Sequence, residues 1–394
     1  MVTLTINGQE ITASPDKTIL QVCHENNLDH IPTLCYDEKM PAFGACFLCV
    51  VELEGQNRLF PACSTRVQQG MVINTRSQKV RSARKTCLEL IVSNHYADCF
   101  GPCRLNCPAD VDIQGYMSLI SLGKFKEAVA LIKEKNPLPS VCGRVCTRKC
   151  EVNCRRSMVD SPVGIDFLKR YAADQDMIGD MWKPEVKEDN GVRVAIIGSG
   201  PSGMTAAYYL AVEGYRPVVY EALPHLGGML RYGIPEYRLP KDVLDKEISW
   251  ITDLGVEVHT QMALGRDFSI DDLFTQGYRS VYIALGAQVG KPMQVENEDA
   301  EGVLRGVDFL RMVEMKTNPE IKGRVVVVGG GNTAIDAART SLRLGAEEVV
   351  LLYRRTRKEM PANEMEIVAA EEEGVKMEFL AAPTRVNVAD GRMT

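Results

Sequence analysis

Apolar and polar residues alternate over residues 2–6, which is the period of a strand with one buried face. Asn7-Gly8 follows as a two-residue hairpin turn, and the returning strand contains Ile11. Residues 1–78 are therefore predicted to form a small β domain. Its further elements are a helix over Thr18 to Asn27, a strand over Cys49 to Leu53 and a strand near Val72 and Ile73.

Apolar side chains recur at helical spacing between Ile113 and Lys135. This pattern predicts a helical domain over residues 79–185. Residues 177–191 are polar and carry the charged run Lys187-Glu-Asp-Asn, which is typical of a linker.

Two later segments, residues 193–222 and 324–355, each run from a short apolar strand through a glycine-rich turn into a helix. They predict two Rossmann-like domains, over residues 190–320 and 321–394. The chain is thus expected to be a multidomain α/β protein.

All 13 cysteines lie between Cys23 and Cys154. Disulfides are rare in a reducing compartment and would not be confined to one part of the chain. The short spacings between the cysteines therefore indicate metal clusters. A net charge of -6 and an aromatic content of 6% argue against a nucleic-acid partner. No membrane span or signal region is found, and a cytoplasmic location is expected.

The predicted β domain contains a first cysteine set with the spacing C-x10-C-x2-C-x13-C. Four thiolates that converge on one loop can hold a 2Fe-2S cluster. Zinc is the alternative metal, although paired C-x2-C knuckles are missing. The set consists of Cys35, Cys46, Cys49 and Cys63.

This arrangement resembles the ferredoxin domain of respiratory NADH dehydrogenase and of iron hydrogenases. The resemblance covers about residues 1–80 and implies a β-grasp ferredoxin domain. Phe47 departs from the family, which often has arginine between the paired cysteines, and the departure bears on the cluster potential.

A second set has a spacing of four between successive members. This spacing places neighbouring ligands on one helix face or on successive loop turns, and eight ligands match two 4Fe-4S clusters. Two zinc sites are the alternative, and Cys23 and Cys87, outside both sets, are expected to be buried thiols. The second set consists of His95, Cys99, Cys103 and Cys107, followed by Cys142, Cys146, Cys150 and Cys154.

The motifs Cys99-Phe-Gly-Pro-Cys103-Arg-Leu-Asn-Cys107-Pro and Asn136-Pro-Leu-Pro-Ser-Val-Cys142-Gly-Arg-Val-Cys146 resemble the cluster domain of the glutamate synthase small chain and of dihydropyrimidine dehydrogenase. The resemblance implies one cluster on Cys99, Cys103 and Cys154 and another on Cys107, Cys146 and Cys150.

The remaining ligands are where this chain departs from that family. The family often has a carboxylate or amide ligand at the position of Lys169, whose ammonium has no lone pair to offer. Either Cys142 replaces it or the second cluster differs. His95 matches a histidine of the NADH dehydrogenase family and is assigned to the open place on the first cluster.

The first glycine-rich turn reads Gly198-Ser-Gly200-Pro201-Ser-Gly203, directly after a predicted strand and at the start of a helix. Such a turn lets the backbone approach a pyrophosphate, which the helix N-terminus favours. Glu221 ends the next strand and supplies the carboxylate expected for a ribose 2′-hydroxyl.

The segment that begins Leu226-Gly-Gly228-Met229 resembles the flavin-contacting segment of the glutamate synthase small-chain family, which implies FAD at the first site. Gly286, in Ala284-Leu-Gly286-Ala287, fits a second flavin-side turn of that family. By chemistry alone, these glycines are equally compatible with ordinary strand-end turns.

The second turn reads Gly329-Gly-Gly331-Asn332-Thr333-Ala334, with alanine in place of the third glycine. The next strand ends in Arg354-Arg355 rather than in an acid. Arginine can pair with a 2′-phosphate, so NADPH is favoured and NADH stays possible. A solvated basic turn is the alternative interpretation.

The resemblance implies an NAD(P)H-dependent flavin and iron–sulfur oxidoreductase subunit that exchanges electrons with partner subunits, as in formate dehydrogenase, hydrogenase, bifurcating or glutamate synthase-like complexes. No acid–base residue is assigned, because hydride transfer demands none. In the family the NAD(P) domain is inserted into the FAD domain, and no returning flavin segment is found before Thr394. A non-enzymatic electron-wiring subunit, a fragment without a working flavin site and a zinc scaffold are the alternatives.

Overall fold

The computed structural model describes residues 1–95, 100–317, 321–390, 392 and 393. The chain forms two compact units, Met1–Gly101 and Pro102–Thr394. Among the described residues, no helix has both the length and the apolar character that crossing a bilayer requires.

The amino-terminal unit is built on a five-stranded mixed sheet in the order β2-β1-β5-β3-β4. Asn7 and Gly8 both adopt positive φ, as a primed hairpin turn requires, which confirms the predicted hairpin. Thr18 caps α1 in a reciprocal capping box with Gln21. The elements are β1 (Val2–Ile6), β2 (Gln9–Ala13), α1 (Ile19–Glu25), β3 (Val50–Leu53), β4 (Leu59–Pro61), β5 (Val72–Asn74) and α2 (Gln78–Ser93).

A group of short helices begins the second unit. The apolar pattern between Ile113 and Lys135 predicts helical structure, and the structure forms two helices over these residues. Gly123 adopts φ +71°, and the amide of Lys124 bonds back to the carbonyl of Leu119, which ends the first helix. The helices are α3 (Pro102–Leu105), α4 (Ile113–Ser121), α5 (Phe125–Lys133), α6 (Pro139–Val145), α7 (Lys149–Val152) and α8 (Ile165–Ile178).

The first dinucleotide-binding fold has four parallel strands in the order β8-β7-β6-β9. This is the strand order 3-2-1-4 of a Rossmann sheet. Its elements are β6 (Arg193–Ile197), α9 (Pro201–Val212), β7 (Arg216–Glu221), α10 (Met229–Tyr232), α11 (Lys241–Thr252), β8 (Glu257–Thr260), α12 (Ile270–Thr275) and β9 (Ser280–Ile283).

The second dinucleotide-binding fold has three parallel strands in the order β10-β11-β12. The strand next to its glycine-rich turn, β10, is an edge strand of this sheet. Its elements are α13 (Gly306–Glu314), β10 (Arg324–Val328), α14 (Asn332–Arg343), β11 (Glu348–Tyr353), α15 (Glu364–Glu372) and β12 (Lys376–Phe379), followed by the short pair β13 (Val388–Ala389) and β14 (Arg392–Met393).

Candidate functional site

The first cysteine set lies on the loops around β3 and β4 in the amino-terminal unit. The amide of Cys46 donates to the Sγ of Cys35 at 3.4 Å, and the amide of Ala62 donates to the carbonyl of Cys49. Gly44 adopts φ +69°, and a Cβ there would lie 3.0 Å from the Oγ of Ser64. The loop is therefore closed tightly around the thiols, and glycine is required at its bend.

Electrostatics also indicate that the four thiols are neighbours. Burial raises the pKa of the Cys63 thiol to about 12, and Cys49 and Cys35 add to the rise. Four adjacent thiolates repel one another unless a cationic core neutralises them, and bound iron deprotonates its thiol ligands. This donor set fits a 2Fe-2S cluster, and it is the set expected from the sequence.

The six cysteines of the second set that the structure describes lie on α3, α6 and α7 and on the turns that follow them. Burial raises the pKa of Cys103, and the nearby charge of Cys154 adds to it. Burial and the nearby charge of Cys146 likewise raise the pKa of the Cys150 thiol to about 12. The structure thus brings Cys103 near Cys154, across the two segments, and Cys146 near Cys150, within the second segment. The assignment of these thiols to particular clusters stays a prediction.

Tyr116 of α4 lies between the two groups of thiols. It is buried, and the thiols of Cys150, Cys107 and Cys103 contribute to the raised pKa of its hydroxyl. In the described residues, no three His, Cys, Asp or Glu side chains are arranged to hold a single metal ion. Cluster ligands bind different irons, so the surrounding thiols still fit two 4Fe-4S clusters.

Two members of the second set are not placed by these contacts. Cys99 lies outside the described residues. His95 follows α2 in the amino-terminal unit, and its role as a ligand stays a prediction. Of the two remaining cysteines, Cys23 is fully buried as expected, whereas Cys87 is only half-buried on α2.

The first glycine-rich turn connects β6 to α9. A Cβ on Gly203 would lie 1.9 Å from the carbonyl oxygen of Gly198, so only glycine permits this packing of helix on strand. Gly200 caps α9, and Pro201 begins it. Apart from the two chain neighbours of Gly200, no atom of the described residues lies within 4 Å of a Cβ built on this glycine. The space over Gly200 is where a pyrophosphate can approach the backbone.

Glu221 ends β7 beside this turn and is buried. Its carboxylate accepts hydrogen bonds from the amide of Ser199 at 3.0 Å, from the hydroxyl of Ser199 at 2.5 Å and from the amide of Leu223 at 2.9 Å. A carboxylate offers about four acceptor sites. Ser199 of the turn fills two of these sites, and Leu223, in the loop after β7, fills a third. Among the described residues, no hydrogen bond fills the fourth, which is the one that a ribose hydroxyl would use.

The flavin-like segment packs against the same turn. Gly228 adopts φ +51°, and a Cβ there would lie 2.8 Å from the Cα of Gly200. Met229 begins α10 directly after it. Gly286 follows β9 with φ +68°, and the amide of Ala284 bonds to the carbonyl of Ile197 at the end of β6. The predicted flavin-side glycines thus meet at the carboxyl edge of the first sheet.

The second glycine-rich turn connects β10 to α14. Gly329 adopts φ +140°, Gly331 caps α14, and a Cβ on Gly330 would lie 2.6 Å from the ring of Tyr353. The amide oxygen of Asn332 accepts from the amide of Asn363 at 2.9 Å, and Thr333 follows in the first turn of α14. The turn therefore has the geometry of a phosphate-binding loop.

Arg354 and Arg355 follow β11 and are exposed. Within the part of the chain that the structure describes, neither has an ion-pair partner. Arg357, two residues later, pairs with both Glu364 and Glu371. Arg354 and Arg355 are therefore available to an anionic ligand, whereas Arg357 is already held in ion pairs.

Three buried polar groups were not predicted from the sequence. Lys169 and Arg148 share the carboxylate of Asp166 beside the second cysteine set. Glu247 of α11 accepts from the backbone amides that begin α6, and Arg238 pairs with Asp336 at 2.6 Å between the two dinucleotide-binding folds. The only sequence signal for Arg238 is its place in the flavin-like segment.

The folds and sites together define a class of redox protein that combines iron–sulfur domains with two dinucleotide-binding folds. Family models agree: residues 1–78 match a 2Fe-2S iron–sulfur cluster binding domain, and residues 71–180 match the 4Fe-4S cluster domain II of dihydropyrimidine dehydrogenase. Residues 192–394 match pyridine nucleotide-disulphide oxidoreductase. The chain belongs to the pyridine nucleotide-disulphide oxidoreductase family and carries 2Fe-2S and 4Fe-4S domains.

Three curated relatives are named as subunits or chains of NADPH- or NADP(+)-dependent enzymes. The chain is 47% identical over 293 residues to the NADPH-Fe(3+) oxidoreductase subunit beta of Geobacter sulfurreducens, a match that covers 73% of this chain and 44% of that protein. It is 42% identical to the NADP(+)-dependent formate dehydrogenase subunit beta of Moorella thermoacetica, covering 74% and 45%. It is 36% identical to the glutamate synthase [NADPH] small chain of Escherichia coli, covering 73% and 63%. The chain thus spans less than half the length of the first two.

Proposed function

We propose that this chain passes electrons between NADPH, FAD and three iron–sulfur clusters and exchanges them with a partner subunit. Its parts are a ferredoxin domain over residues 1–78, a two-cluster domain over 79–185, a FAD domain over 190–320 and an NADPH domain over 321–394. The relatives are named as subunits of NADPH-dependent oxidoreductases, which supports this assignment. We place the protein in the cytoplasm.

One observation carries the proposal: the two-cluster region and the first dinucleotide-binding fold share a packed core. Leu138 and Val141 at α6 belong to the same apolar cluster as Met204 of α9. Glu247 of α11 accepts from the amides of Ser140 and Val141 at 2.7 and 2.8 Å. A helix that carries cluster cysteines is therefore fixed against the flavin fold, as electron transfer between them demands.

The residues of the chain have defined tasks in this proposal. When bound, NADPH supplies a hydride, and FAD converts it into single electrons for the clusters. Gly198, Gly200 and Gly203 admit the FAD pyrophosphate to the backbone, and Glu221 binds the ribose. Gly329, Gly331, Asn332 and Thr333 form the corresponding loop for NADPH. The cluster ligands are His95 and the cysteines of the two sets, with Cys99, Cys103 and Cys154 on one 4Fe-4S cluster and Cys107, Cys142, Cys146 and Cys150 on the other.

The choice of NADPH over NADH depends on Arg354 and Arg355. Both are exposed cations at the end of β11, where the adenosine ribose of a dinucleotide is expected. A guanidinium can bind a 2′-phosphate through two parallel hydrogen bonds. Glu221, at the equivalent place in the first fold, would repel such a phosphate.

The test is the composition of the anaerobically reconstituted chain. We expect roughly ten irons and a matching amount of acid-labile sulfide per chain, the sum for one two-iron and two four-iron clusters, together with bound FAD. The C103A variant should lose about four irons, and the matched variant C87A should lose none. Zinc in place of iron would contradict the proposal.

A second candidate is an iron–sulfur wiring subunit without a working flavin site. It is favoured by the exposure of β9 at the edge of the first sheet, where Ile283 and Leu285 are 53% and 50% exposed beside Gly286. An all-parallel sheet is normally covered on both faces, and the exposed apolar side chains at β9 leave this part of the sheet uncovered. Iron and sulfide in full amount with no bound flavin would support this candidate over the first.

A further inference from the structure

Lys169, on α8, is buried in a place where an isolated ammonium would be costly. Only 9% of the residue is exposed, and its Nζ lies 2.8 Å from the Oδ1 of Asp166. The Nε of Arg148 lies 3.2 Å from the other oxygen of the same carboxylate. One buried carboxylate thus serves two cations.

Among the described residues, neither Lys169 nor Arg148 pairs with a second buried carboxylate. Glu151, which is half-buried, accepts a hydrogen bond from the backbone amide of Asp166. Arg144, on the neighbouring helix α6, is paired with Asp174. Apart from Asp166, the charges that act most strongly on Lys169 are the thiols of Cys142 and Cys146.

Backbone packing brings Lys169 to those thiols. At the crossing of α6 and α8, a Cβ built on Gly143 would lie 2.7 Å from the Cα of Arg170. Gly143 directly follows Cys142, and Arg170 directly follows Lys169. The close approach of the two helices therefore places Cys142 and Lys169 at one crossing.

A buried cation is stable when an anion compensates it. Four thiolates around an iron–sulfur core provide that negative charge, and a protonated lysine has three donors but no lone pair with which to ligate iron. Resting on the proposed function for the presence of the cluster, we propose that Lys169 is a positioning residue that holds a fixed positive charge beside the second 4Fe-4S cluster, whose fourth ligand is Cys142.

This charge has a direct consequence for the redox potential. Reduction adds one electron to the cluster, and the ammonium of Lys169 favours the more negative, reduced form. The backbone amide of Arg148 donates to the Sγ of Cys146 at 3.4 Å, which acts in the same direction. The second cluster is therefore easier to reduce than it would be with a neutral side chain at this position.

The experiment is a dithionite titration of the reconstituted full chain, followed by electron paramagnetic resonance and iron analysis. In K169M, we expect full iron content and a reduced-to-oxidised ratio of the second cluster at least tenfold lower at a fixed potential, which is about 59 mV for one electron. K169R should match the parent chain. C142A should lose about four irons.

Each outcome decides the question. An unchanged potential in K169M would overturn the proposal, and so would loss of the cluster from K169M with retention in C142A, since lysine would then be the ligand. If K169M loses the cluster and K169R retains it, the result supports the need for a positive charge at this position. If both variants lose the cluster, the proposal is overturned. Because dithionite supplies the electrons, failure of NADPH or flavin to reduce the chain leaves the test intact.

Discussion

Both dinucleotide-binding folds begin with a parallel strand, a glycine at positive φ and a helix capped by a second glycine, Gly200 in one and Gly331 in the other. They differ after the second strand. In the first fold, Glu221 is buried and accepts two hydrogen bonds from Ser199 of the turn and one from Leu223 in the loop after β7. In the second, Arg354 and Arg355 are exposed. Under the proposed function, the same type of turn binds a pyrophosphate in each fold, and the residues at the end of the second strand decide which dinucleotide each fold accepts.

The largest expected effect comes from separating the two folds. Arg238, from the flavin-like segment, pairs with Asp336 of α14 at 2.6 Å and with Glu366 of α15 at 3.1 Å, and all three side chains are largely buried. Removing one partner of a buried pair costs about 3–5 kcal/mol. R238M should lower the free energy of opening of α14 by this amount, measured by hydrogen exchange of its amides.

The matched control is R324M, which removes an exposed ion pair with Glu348 in the same fold. Exposed ion pairs contribute about 0–1 kcal/mol to stability. The amides of α14 in this variant should therefore exchange hydrogen almost as they do in the parent chain. An equal decrease in the free energy of opening of α14 in the two variants would show that Arg238 does not hold the two folds together.

A smaller effect is expected from the third glycine of the first turn. In the first fold a Cβ on Gly203 would overlap the carbonyl of Gly198, whereas the second fold holds Ala334 at the same place, 3.3 Å from a Cβ built on Gly329. Overpacking costs about 1–3 kcal/mol. G203A should therefore lower the free energy of unfolding of the first fold and release FAD, as followed by denaturation and flavin fluorescence.

Two variants make this result specific. G200A adds a methyl group to open space, so it should fold normally and lose only FAD. A334G, in the second fold, should cost no more than the roughly 1 kcal/mol of glycine in a helix. If G203A retained FAD as well as the parent chain does, the close helix–strand packing would not be needed for binding.

The smallest effect is on dinucleotide selection. R354Q and R355Q should each weaken NADPH binding about tenfold, the equivalent of 1.4 kcal/mol, and leave NADH binding unchanged, because only NADPH carries the 2′-phosphate. R357Q is the control, since Arg357 is already paired with Glu364 and Glu371. Equal weakening of both dinucleotides would assign the arginines to the fold rather than to selection.

Local features of the molecule could be predicted from the sequence. The Asn7-Gly8 hairpin, the capped helix after Thr18 and both glycine-rich turns depend on neighbouring residues, and the structure has them where the pattern indicates. The division of the stretch from Ile113 to Lys135 was missed, because the apolar period continues across Gly123 while the backbone reverses there.

Long-range pairings could not be predicted. Arg238 and Asp336 are 98 residues apart in the chain, and Glu247 meets Ser140 across 107 residues. Neither pairing leaves a local period or spacing in the sequence. The burial of Glu221 is of the same kind: its position predicted a ribose contact, but only the fold reveals that two of its acceptor sites hold the turn.

The central claim is that the two electrons of a hydride donated by NADPH at the second fold reach the clusters one at a time through the first fold. The most direct measurement is electron paramagnetic resonance of the anaerobic, reconstituted chain after addition of NADPH. Signals of reduced iron–sulfur clusters should appear in the parent chain and be absent in G200A, whose iron content should be unchanged. A parent chain with full iron and flavin that gives no cluster signal with NADPH, although dithionite produces one, would contradict the account.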